Sequence, residues 1–211
     1  MNLKKLREAE AIFMQRYPGG FEHPDMVEIG KKHRVDQIAG QAQAQLAKSR
    51  FSVPGQVLDD IVRLVSRSSM VSMFEKPKFR DYVQGLSRDD REYLVGGFRK
   101  LLHNKKQETG FNEVLDVLSE GKLAKWSLMT ILPMYYRPEV EVFVKPTTTK
   151  GVLRRFEIED LTYYPRPSWA FYSAYRNLIH EMKAKVDPRL SPNNAAFTGF
   201  LMITSGEAAP R

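Results

Sequence analysis

The chain contains no cysteine, which removes disulfides, thiolate nucleophiles and thiolate-ligated metals from consideration and suits a reducing compartment. Nor does it approach the run of about 18 apolar residues that marks a membrane-spanning helix. Its first segment, carrying Lys4, Lys5, Arg7, Glu8 and Glu10, lacks the apolar stretch of a secretory signal. A cytoplasmic protein with no membrane partner is expected. The four histidines, His23, His33, His103 and His180, form no HExxH or HxH pair, so neither a metal nor a cofactor site is expected. Pro18-Gly19-Gly20 lacks the following lysine of a phosphate-cradling loop and reads as a helix-terminating turn, where glycine accepts positive φ.

What is present describes an ordinary globular chain. In 211 residues, 42% are hydrophobic and 27% charged, which fits one folding domain and excludes a disordered or collagen-like chain. The net charge of +8 favours encounter with polyanions. There is no basic tail: Lys plus Arg against Asp plus Glu runs 9 to 6, 9 to 7, 7 to 6 and 8 to 6 through residues 1–50, 51–100, 101–150 and 151–211.

Apolar residues recur at helical spacing through most of the chain. Leu3, Leu6, Ala9 and Phe13 mark a first helix, His23-Pro24 a second, and residues 34–49 a third by propensity. Val57, Ile61, Leu64 and Val65 mark another after Pro54-Gly55, and 74–86 a shorter one interrupted near Pro77. Ser87 with Asp90 forms a capping box ahead of Leu94, Phe98, Leu101 and Leu102. Residues 112–123 and 126–136 follow, the latter apolar all round and so buried. A threonine cap starts 147–156, Ser168 starts a long helix, and Ser191-Pro192 starts the last. Glu139 to Lys145 alternates like a short strand or extended connector with no visible partner. The expectation is an all-α single domain over 1–205, with about eight to ten helices, at most one extended segment near 140–144, and a flexible tail at 206–211.

Three blocks read together, RYPGGF (16–21), SMFEKPKFRDYV (72–83) and ILPMYYRPEVEVFVKPTTTK (131–150) continuing to RPSWAFYSAY (166–175), resemble an uncharacterised bacterial family of about this length. The order and spacing match over nearly the whole chain, while SPNNAAFTGFLMIT (191–204) departs from the family's more acidic and aromatic ending. The resemblance implies a bacterial helical protein; it carries no reaction, cofactor or catalytic residue.

Several groupings point to chemistry. On the helix from Ser168, Arg176, His180 and Lys183 share one face at steps of four and three. With Lys145 and Arg166 they are candidates to grip phosphates while Tyr163, Tyr164 or Phe171 stack on bases. The alternative for that face is a solvated surface over an aromatic core. Arg99, Lys100, His103, Lys105 and Lys106 form a second basic run, for which complementing a helix C-terminus is the simpler account. Glu139, Glu141 and Lys145 approach the acidic residue and Glu-x-Lys of a magnesium nuclease but miss its spacing. The expected function is a non-enzymatic nucleic-acid or polyanion-binding accessory protein. The alternatives are a metal-dependent nuclease-like hydrolase and a module that binds another protein.

Overall fold

In the computed structural model, which describes residues 1–205, Ser87 starts the longest helix, α6 (Arg88–His103). Its hydroxyl accepts from the Asp90 amide at 3.1 Å and donates to the Asp90 carboxylate at 2.6 Å. This satisfies one orphan amide of the first turn. Asp89 and Asp90 face the positive dipole end, and Leu94, Phe98, Leu101 and Leu102 are buried. α7 (Gln107–Glu120) returns antiparallel to it. The two backbones approach so closely that a Cβ on Gly110 would fall on the main chain of Leu101 and Gly97, and one on Gly97 would lie 3.1 Å from Val114.

The other helices are α1 (Leu3–Arg16), α2 (Pro24–His33), α3 (Val35–Gln45), α4 (Pro54–Arg67), α5 (Glu75–Gly85), α8 (Trp126–Tyr136), α9 (Pro146–Arg155), α10 (Trp169–Lys183) and α11 (Asn194–Thr204). Short 3-10 turns lie at Gly20–Glu22, Lys48–Ser52 and Pro188–Leu190. The fold is all-α, with no strand among the described residues. None of these helices is long and apolar enough to cross a membrane. The tail expected at 206–211 lies outside the described residues.

Around α8, α3, α4, α6 and α7 pack on several sides, which is why nine of its eleven residues are buried. Gly19 and Gly20 take φ of 89° and 68° and end α1 in the expected turn, where a side chain on Gly20 would strike the Arg189 carbonyl. Three local expectations change. Pro77 does not interrupt α5, because it sits in the first turn, where its missing N–H leaves no helical bond unmade. α9 starts at Pro146 with Lys145 as its N-cap, so Thr147 lies exposed inside the first turn instead of capping it, and Thr148 and Thr149 are buried. α11 starts at Asn194 with Asn193 as cap, because a 3-10 turn takes up the chain before it.

The connector expected near 140–144 forms no strand: residues 138–140 make a turn, and 141–145 follow it without regular structure. Residues 141–144 are all buried, so their amides and carbonyls need partners. Side chains supply several. Thr130 Oγ1 accepts from the Val144 amide at 3.0 Å, and Asn194 Nδ2 donates to the Glu141 carbonyl at 2.9 Å. The Tyr172 hydroxyl lies 3.4 Å from both the amide and the carbonyl of Val142.

Candidate functional site

The connector carries Glu141 into the core with its side chain fully buried. One carboxylate oxygen accepts from Arg137 Nη2 at 2.5 Å and Gln107 Nε2 at 2.9 Å; the other accepts from Arg176 Nη1 at 2.8 Å and the Tyr172 hydroxyl at 2.7 Å. Gln107 closes the ring by accepting from Arg176 at 2.9 Å. The Arg176 guanidinium lies over the Trp169 and Tyr172 rings at 5.5 and 5.6 Å. Burial, and then the charge of Glu141, push the Tyr172 hydroxyl far above the usual tyrosine range, so it remains a donor. Two guanidiniums on one carboxylate leave one net positive charge. With all its acceptor directions in use, Glu141 is a packing anchor that ties α7, α8 and α10 to the connector.

This arrangement redirects the phosphate-gripping face. Arg176, His180 and Lys183 do share one face, but it turns inward onto residues 139–142 and Asn194. Arg176 is held by Glu141, His180 Nε2 donates to the Val140 carbonyl at 2.7 Å, and Lys183 Nζ donates to Asn194 at 2.6 Å. The side chains of Arg176 and Lys183 are only 16% and 15% exposed. Burial holds the Lys183 ammonium below the usual lysine range. The nuclease trio is likewise not gathered: Glu141 is enclosed, Glu139 is on the surface 3.9 Å from Lys183, and Lys145 reaches Met202 Sδ at 3.4 Å. Among the described residues, no three acidic or histidine side chains converge as a cation site.

Lys145 and Arg166 remain exposed. Lys145 lines a cleft of about 430 Å³ with Lys125, Glu75, Trp126, Phe143 and Tyr163. Arg166 lines a second cleft, of about 460 Å³, beside Glu108 and Trp169. An acid thus sits in each cleft beside the cations.

The cations gather elsewhere. The C-terminal ends of α3, α6 and α8 meet at His103, whose Nε2 donates to the Leu46 carbonyl at 2.9 Å. The imidazole lies edge-on to Phe51 and Tyr136, at 5.3 and 5.1 Å between ring centres. Arg99 is one turn earlier on α6, Lys48 follows Leu46 by two residues in a turn packed on α6, and Arg137 follows Tyr136 and reaches the Leu101 carbonyl at 3.5 Å. Burial first, then Arg137, Lys48 and Arg99, lower the His103 pKa against the raising effect of the Leu46 carbonyl. Lys105 and Lys106 follow and are exposed. Lys48 and Arg137 are the members that sequence reasoning missed; they come from segments far apart in the chain.

Cations at helix C-termini complement the dipoles there, so magnitudes decide what is left over. Three C-terminal ends supply about −1.5 charges. Lys48, Arg99, Lys105 and Lys106, none of which has an ion-pair partner among the described residues, supply +4, and the Arg137–Glu141–Arg176 group adds one more. A clear positive excess remains. Lys106 also stands at the N-cap of α7, where the dipole disfavours a cation, so helix stability does not account for it. No protein-family model, curated protein or solved structure matches the chain.

Proposed function

We propose that this protein is a non-enzymatic accessory protein that binds nucleic acid or a related polyanion across the His103 face. The observation that carries the reading is the meeting of Arg99 and His103 on α6 with Lys48 and Arg137 from two other elements, in excess of what three helix dipoles neutralise. Phosphates would lie along Lys48, Arg99, Lys105 and Lys106, each contact releasing condensed counterions. The edge-on packing of Phe51, His103 and Tyr136 forms the floor of the face. Lys145 and Arg166 have no part in this contact.

Fluorescence anisotropy with a labelled oligothymidylate of about 16 nucleotides tests it. Exchange of Lys48, Arg99, Lys105 and Lys106 for glutamate abolishes binding, whereas the same exchange at Arg7 and Arg88 does not. Equal loss in both variants, or no binding to the wild type at about 50 mM salt, overturns the reading. A protein partner is the second reading. Met73 and Phe74, each 74% exposed, favour it, and their exchange for serine leaves oligonucleotide affinity unchanged if the first reading holds.

A further inference from the structure

We propose that polyanion binding at this face is coupled to uptake of a proton by His103; the inference rests on the polyanion reading above. A carbonyl oxygen only accepts, so Nε2 of His103 carries the hydrogen given to Leu46, and Nδ1 is the atom that titrates. Protonating Nδ1 places a positive charge on a ring already surrounded by cations. Every element packed on the ring contributes to that environment. α6 brings Arg99, the 3-10 turn brings Lys48 beside Phe51, the end of α8 brings Tyr136 and Arg137, and α3 brings only the Leu46 carbonyl and glutamines. Of these charged groups, only Arg137 is paired to a carboxylate, and it shares Glu141 with Arg176.

In the free protein burial, and then these cations, hold the His103 pKa below the usual histidine range. A phosphate chain laid over Lys48 and Arg99 cancels most of their repulsion, and its own charge favours imidazolium. The bound state therefore holds more protons than the free state, and affinity rises as pH falls. One proton limits the effect to about tenfold per pH unit; between about pH 7.5 and 6 the expected gain is about threefold to tenfold.

Two measurements on the full chain decide it, with oligothymidylate as the probe. By NMR, the His103 ring-proton titration midpoint moves up when oligothymidylate is added, and the anisotropy affinity shows the stated gain at the lower pH. H103Q, which keeps a donor for Leu46 but cannot titrate, loses the gain. H33Q keeps it, since His33 lies by Ser69 and Lys145 rather than at this face. An unchanged midpoint in the wild type with oligothymidylate bound overturns the proton coupling and leaves the binding reading intact. No binding at either pH overturns both. The NMR midpoint is read on unmodified protein, so it decides even if H103Q is poorly folded.

Discussion

Replacing Glu141 with alanine leaves two guanidiniums facing one another across buried space, with Gln107 and Tyr172 stripped of their acceptor. Breaking a buried ion pair from one side costs about 3–5 kcal/mol. Arg137 is about one-third exposed and partly relieved by water, while Arg176 is not. Gln107 keeps Leu101 as a partner at 3.0 Å and Tyr172 keeps a weak one in Val142, so their losses add about 1 kcal/mol each at most. The expected loss for E141A is about 4 kcal/mol, a large share of the 5–15 kcal/mol typical of a domain. E141Q keeps the shape and one acceptor and loses about half as much. Urea denaturation followed by helical circular dichroism measures both. In a double-mutant cycle with R176A the two losses are not additive, with a coupling above about 1.5 kcal/mol. A loss under about 1 kcal/mol for E141A, or an additive cycle, refutes Glu141 as the anchor of the connector.

Other perturbations separate stability from binding. G110A forces α6 and α7 apart and costs about 3 kcal/mol in urea. Lysine is a poor N-cap, so K106S and K125S each raise stability by about 0.5–1 kcal/mol; on the proposed reading only K106S also weakens oligonucleotide binding. His33 and His103 are both held below the usual histidine range, chiefly by burial. As pH falls below about 6.5 the unfolded chain takes up protons that the folded one resists. Stability therefore declines in that window and levels off once the folded histidines are protonated. Melting temperatures at about pH 7.5 and 5.5 record the drop, and combining H33Q with H103Q flattens it.

Most of the helical frame was legible in the sequence because its causes are local. Ser87 and Ser168 announce their helices by caps that the structure forms at 3.1 and 3.3 Å, and Trp126 to Tyr136 carries too few polar residues to face water. The connector was legible only in part. Alternation in Glu139 to Lys145 suggested one inner face, yet Glu141, Val142, Phe143 and Val144 are buried in succession. Their backbone partners, Thr130, Tyr172 and Asn194, lie outside the segment, where no period encodes them. Spacing correctly put Arg176, His180 and Lys183 on one face. The direction of that face depends on what packs over it, and Glu141 with Asn194 drew it inward. The His103 face escaped for a related reason. Its run on α6 looked like dipole complement, and only the meeting of three helix ends adds Lys48 and Arg137.

The most direct test of the polyanion reading is the salt dependence of oligothymidylate binding between about 50 and 200 mM salt. Four phosphate contacts on a single strand predict that log affinity falls against log salt with a slope of about −3, reduced by about 0.7 for each of Lys48, Arg99, Lys105 and Lys106 replaced by alanine. A slope that stays the same in all four alanine variants would contradict the account.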